Sequence, residues 1–167
     1  GSPGTQLTWM DAKIGDWVVT PRIGKPVEVQ ALWLNALAFA AAEARRTGGG
    51  DRWERLFLQG RTAFETRFWN EATGCLADVV DADHHAGQVD TAIRPNQILA
   101  VGGLPVQLVT PARSRAVVDV VERELDTWYE DGLCFIQAIA RNRPIADVFA
   151  NLPTTTEQIL HPEKYLA

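Results

Sequence analysis

The apolar positions of this chain gather into helix-length runs separated by polar loops rich in glycine and proline. Between Pro26 and about Arg46 the apolar residues Val27, Val29, Ala31, Leu32, Trp33, Leu34, Ala36, Leu37, Phe39 and Ala40 cover nearly the whole circumference of a helix. Proline suits the first turn, and Thr47 with glycines 48–50 stops the run. Such a helix is expected to be buried on all sides, with Glu28, Gln30 and Asn35 as its odd members. Buried polar groups need partners, so these three either point into a substrate cavity at one end or bond to neighbouring loops. Asp51 can cap a second helix to about Trp69, whose apolar set of Trp53, Leu56, Phe57, Phe64 and Phe68 keeps to one side. A wholly buried helix followed by a one-sided one is the pattern of an inner and an outer helix in a concentric layer.

Further on, Cys75–Val80 alternates in part and predicts a short β-ribbon. Pro95 to about Val101 predicts a third helical segment, broken by Gly102, Gly103 and Pro105. Thr110-Pro111 is a good cap and first-turn pair for a fourth helix to about Asp126, with Val117, Val120, Val121 and Leu125 on one face. Two more helices are expected at 132–141 and 144–150. Helix pairs without strand alternation indicate the all-α class.

The opening stretch breaks this pattern. Thr8-Trp9-Met10-Asp11-Ala12-Lys13-Ile14-Gly15-Asp16, continuing through Trp17 to Arg22 and Pro26, has neither helical nor strand periodicity. It reads as an ordered loop that delivers side chains to a site. Indole faces beside carboxylates suit a sugar, whose C–H faces stack while its hydroxyls bond to acids, amides and guanidinium groups. The alternative is that Trp9 and Trp17 anchor the loop while Asp11 and Asp16 cap or solvate it. The polar tetrad Arg94-Pro95-Asn96-Gln97 precedes an apolar run. Arg94 and Asn96 can bond sugar hydroxyls, hold the opening loop or cap the helix.

Composition narrows the classes. A chain of 167 residues, 46% hydrophobic, can bury one sizeable core. A net charge of −5 without a basic cluster argues against nucleic acid. No apolar run reaches transmembrane length. Cys75 and Cys134 have no metal-ligand spacing and fit free thiols in a reducing cytoplasm. Asp81, Asp83, His84, His85 and Asp90 fall close together, but an adjacent His-His pair in a polar loop is more often solvated than metal-bound, so neither metal nor cofactor is expected. The abrupt start on Gly1-Ser2-Pro3-Gly4 is what a piece cut from something longer would show.

The run TWMDAKIGDWVVTPRIGKPVEVQALWLNAL, followed by FWNEATGCLADVVD and IRPNQILAV, resembles the catalytic region of bacterial and archaeal glycogen-debranching α-1,6-glucosidases over roughly residues 1–124. The resemblance implies an (α/α)6 toroid of helical hairpins, of which this chain holds two or three pairs. It also implies hydrolysis of α-1,6-linked glucose in an α-glucan, with Asp11 as the general acid. Trp9, Lys13, Asp16, Trp17, Arg22, Gln30, Trp33, Asn35, Arg94, Asn96 and Gln97 are the expected substrate-binding residues. Inverting hydrolysis needs a second carboxylate roughly 6.5–9.5 Å away to activate water. By resemblance that base belongs to a later segment not found here; Glu28, Asp78, Asp90, Glu130 and Glu157 are the carboxylates left as candidates away from the surface. Without the base, a non-catalytic glucan-binding or scaffold domain is the alternative. An incomplete ring would expose apolar flanks of its inner helices and invite self-association. Residues 125–167 change character. WYEDGLCFI and PTTTEQILHPEKY resemble the C-terminal part of a bacterial zinc-metallopeptidase-like family, but no His-Glu-x-x-His motif occurs, so that activity does not carry over.

Overall fold

The computed structural model describes residues 1–5, 7–142, 144 and 161–166, with the backbone alone at 126–133 and 165. The chain divides into two compact units, Gly1–Val121 and Glu122–Ala167. The described part is mainly helical, with several two-residue strands.

The first unit is built on two helices, α1 (Val27–Thr47) and α2 (Arg52–Arg67). Pro26 precedes α1 in extended conformation, and the free N–H of Val27 donates to the Asp78 carbonyl at 2.9 Å. At the other end Gly48 takes the left-handed conformation, and the Gly49 N–H closes on the Ala44 carbonyl at 2.7 Å. α1 and α2 pack closely where Gly60 faces Leu34; a Cβ on residue 60 would stand 2.6 Å from a Leu34 methyl. Val27, Ala31, Leu34 and Leu37 of α1 meet Phe64, Phe68, Leu76, Leu108 and Val117 in one core. Phe64 and Phe68 stack with ring centroids 4.6 Å apart. Each fully buried aliphatic side chain here contributes about 1.5–3 kcal/mol. A third helix, α3 (Pro111–Val121), adds Val117 and Val120 to that core, its start capped by the Thr110 hydroxyl, which accepts from the Arg113 N–H at 3.3 Å.

The expectation that α1 is buried all round is corrected. Its opposite face is open: Val29, Leu32, Trp33 and Phe39 are exposed, Phe39 by 70%. Apolar spacing shows what a helix face could bury against, not whether a neighbour is there.

Short strands frame the site. β1 (Lys13–Ile14) and β2 (Trp17–Val18) form a hairpin, pairing Ile14 with Trp17, so the opening stretch is not wholly irregular. Its two-residue turn through Gly15 was too short to give a periodicity. β3 (Lys25–Pro26), β6 (Val79–Val80) and β7 (Val89–Asp90) make an antiparallel sheet with β6 in the middle. β4 (Trp69–Asn70) pairs with β5 (Cys75–Leu76). The expected ribbon therefore exists, but its two halves join different sheets. Gly24, at φ +125°, lets the chain cross β6; a Cβ there would lie 2.6 Å from the Asp81 carbonyl oxygen. Pro95–Ala100 is a 3-10 helix rather than an α-helix.

The second unit holds a π-helical turn, Glu122–Asp126, then α4 (Thr127–Ala140) and α5 (Pro162–Leu166). Phe135 and Ile139 are buried there, with Ile136 and Leu166 packed against them. α4 begins earlier than expected. The helix expected at 144–150 lies outside the described residues, apart from residue 144. Cys75 and Cys134 are both free thiols. No helix among the described residues is long and apolar enough to cross a membrane.

Candidate functional site

The segments that broke the helical pattern converge on one buried carboxylate. Asp78 follows β5 in an otherwise apolar run, and both its oxygens are taken. Arg22 binds it in a fork, Nε to Oδ2 and Nη2 to Oδ1, each at 2.8 Å. Arg94 Nη1 adds a bond to Oδ2 at 2.5 Å and reaches Asp90 at 3.2 Å. Asn96 Nδ2 donates to Oδ1 at 3.1 Å. On its other side Arg22 grips both oxygens of Glu28 in the first turn of α1, Nη2 to Oε2 at 2.6 Å. Burial alone would lower the Arg22 guanidinium, but the hydrogen bonds it donates to Glu28 and Asp78 outweigh it and hold the group above its ordinary pKa. Planar forks on two carboxylates are the geometry that arginine, and not lysine, can satisfy.

This cluster carries the opening loop. The Trp9 indole Nε1 donates to Asn96 Oδ1 at 3.0 Å, and Met10 Sδ lies 3.4 Å from Asn96 Nδ2. Trp9 is otherwise 65% exposed, so it is held by its N–H while most of its surface meets solvent. Asp11 comes next in the chain; it is exposed and has no hydrogen-bond or ion-pair partner among the described residues. Gln97 is buried and joins neighbouring pieces, accepting from the Leu76 N–H at 3.0 Å and donating to the Arg94 carbonyl at 3.2 Å.

The other expected site residues stand in three places. Lys13, Asp16 and Trp17 lie exposed on the β1–β2 hairpin. Gln30 and Trp33 line a cavity of about 310 Å³ between α1 and α2, walled mainly by Leu34, Leu37, Leu56 and Phe64. Asn35 is spent on the backbone of Val106, accepting from its N–H at 2.8 Å and donating to its carbonyl at 3.1 Å. Of the polar trio on α1, then, Glu28 and Asn35 bond to loops while Gln30 faces a cavity.

A second ionic cluster lies at the end of β6. Asp81 accepts from Lys25, Arg67 and the Gly87 N–H, the last at 2.9 Å, and the Lys25 bond leads in holding its carboxyl well below the usual carboxylate range. Asp81, Asp83 and His84 all take left-handed backbone conformations, and His84 Nε2 meets the Gly1 carbonyl oxygen at 2.7 Å. Sequence reasoning named Asp78 only as a spare carboxylate and passed over Met10. The usable signal was an acid inside Leu76-Ala77-Asp78-Val79-Val80, since a charge in an apolar run must find an opposite charge.

No curated protein and no solved structure matches this chain. A family model described as amylo-alpha-1,6-glucosidase matches residues 1–133, a span that contains the Trp-Met-Asp loop and every residue of the Asp78 cluster. The chain therefore belongs to the amylo-alpha-1,6-glucosidase family.

Proposed function

We propose that this chain carries the acid half of a debranching site for α-1,6-linked glucose in an α-glucan, with Asp11 as general acid. The observation that carries this reading is the presentation of Trp9-Met10-Asp11 on an exposed loop tied to a buried ionic cluster, within a stretch that matches the family. Asp11 would protonate the departing 6-oxygen while a second carboxylate activates water on the opposite ring face, giving inversion. The exposed indoles of Trp9 and Trp17 suit stacking on glucose rings, with Lys13 and Asp16 within the same hairpin region to bond hydroxyls. α1 and α2 read as one inner–outer pair of an (α/α)6 toroid. The exposed apolar face of α1 is what a neighbouring hairpin, or a second copy of the chain, would cover.

One observation favours a second reading, a glucan-binding module without turnover. Glu28 and Asp78 are buried and held by Arg22, and Asp90 is paired with Arg94, so these three carboxylates are poorly placed to take a proton from water. Glucose release from a phosphorylase limit dextrin, measured beside Asp11→Asn, separates the two. Catalysis predicts release that falls on the order of 10²–10⁴-fold in the variant. Maltooligosaccharide binding with no release from either protein supports the second reading and rejects turnover by this chain alone.

A further inference from the structure

We infer that Asn96 is a positioning residue for the Trp9-Met10-Asp11 loop, with its amide oriented by the charge of Asp78. The inference rests on the proposed role of Asp11 only for its catalytic consequence; the geometry is independent of it. Asp78 lies between two guanidinium groups, and its Oδ1 already accepts from Arg22 Nη2 at 2.8 Å. Whatever faces it from Asn96 must be a donor, because a carbonyl oxygen at 3.1 Å would meet a carboxylate without a proton between them. That fixes Nδ2 toward Asp78 and turns Oδ1 outward, so the loop must supply a donor in return. Trp9 does, through the one polar atom of an otherwise apolar side chain. The direction of every bond follows: Trp9 to Asn96, Asn96 to Asp78, and Arg22 to both Asp78 and Glu28.

Asn96 is 3% exposed while Trp9 is 65% exposed, so the amide is the last fixed point before the loop enters solvent. The Met10 sulfur against the same Nδ2 places a second consecutive loop residue on it. Asp11, with no partner of its own among the described residues, takes its position from these two neighbours. Arg94 stands two residues before it and holds Asp78 rather than the loop, so it does not duplicate the role.

The Trp9 indole N–H resonance, assigned by its disappearance in Trp9→Phe, reads the bond directly in the intact chain. In Asn96→Ala it is expected to move and to exchange faster with solvent, while the far-ultraviolet circular dichroism stays helical. In Asn96→Asp a second carboxylate faces Asp78 at neutral pH, so the resonance is displaced there. It is expected to return toward its wild-type position on acidification, once the new carboxyl is protonated and can donate to Asp78 as the amide did. An unmoved indole signal in folded Asn96→Ala overturns the inference. Where Asn96→Ala unfolds the chain, the Asn96 side-chain amide signals in Trp9→Phe decide: displaced signals support the bond and unchanged ones reject it. In a chain that releases glucose, Asn96→Ala is expected to lower kcat on the order of a hundredfold with little change in KM. A loss confined to KM would overturn the positioning role. A displaced indole with no glucose release from the wild type would leave this inference standing and reject turnover by this chain alone.

Discussion

Two ionic clusters hold the strands of the first unit, and they differ in where their cations stand. Around Asp78 the side chains of Arg22, Glu28 and Asp78 are 3% exposed or less, and every contact is a charge-assisted hydrogen bond. Around Asp81 the partners Lys25 and Arg67 keep 47% and 42% of their side-chain surface in water. Arg94 reaches in from the edge with 23% of its side chain exposed, but water does not reach the places of Arg22, Glu28 and Asp78, so each of these three is necessary once the others are present. In the outer cluster water and salt stand ready to substitute, and its position depends more on backbone than on charge. A buried ion pair is thus a poor source of net stability but a strict condition on the fold, whereas an outer pair adds little stability and sets no such condition.

The sharpest way to break the contrast is Arg22→Ala. It leaves Glu28 and Asp78 buried with too few partners and is expected to cost about 3–5 kcal/mol in urea denaturation. A loss below about 1 kcal/mol would mean that water reaches the cluster. Next comes Gly24→Ala, which tests the backbone side of the Asp81 region. The left-handed φ and the close Asp81 carbonyl predict a loss of about 1–3 kcal/mol by the same measurement.

Asp81→Asn should cost less than either. Its folded pKa lies below the ordinary aspartate value, so its contribution is complete above about pH 4 and is lost as the pH falls below that. The gap in Tm between wild type and variant is expected to stay constant from pH 8 to 5 and to close on further acidification. A gap that widens in acid would contradict the ion pairs. The smallest change is expected for Lys25→Met, and 0.5 M salt should shrink it further while leaving the Arg22→Ala loss intact.

The helix ends were legible because their signals are local: Pro26 and Gly48 around α1, Thr110-Pro111 before α3, and Asp51 before α2, whose carboxylate pairs with Arg55 instead of capping. The second face of α1 was not, since its residues are as apolar as those that pack. The Trp-Met-Asp loop stood out by its composition, and the family it suggested is the one matched over residues 1–133. What holds that loop was legible only as one option among three for Arg94 and Asn96, and it is Asn96 that holds it. Arg22 and Asp78 are 56 positions apart, Trp9 and Asn96 are 87 apart, and no spacing rule links them. The tetrad Arg94-Pro95-Asn96-Gln97 read as one polar group at a helix start, with sugar binding, loop holding and capping all open to it. Its members instead serve separate masters: Arg94 and Asn96 serve Asp78, and Gln97 serves the backbone of Leu76.

The same separations set an order of assembly. Closing a chain segment costs conformational entropy that rises with its length, by about 0.6 kcal/mol per doubling, and contacts between distant residues slow folding. The α1–α2 hairpin is linked by a few residues and needs only its own side chains to form. The tie between Trp9 and Asn96 spans the whole hairpin and the strands after it, so it closes last and opens first. Hydrogen-exchange pulse labelling should find the Leu34 and Phe64 amides protected before that of Met10. Simultaneous protection would show that the loop belongs to the folding nucleus. If the order holds, brief local opening frees the Trp-Met-Asp loop while the helices stay packed, and a protease probing the native protein would cut there before anywhere else in the first unit.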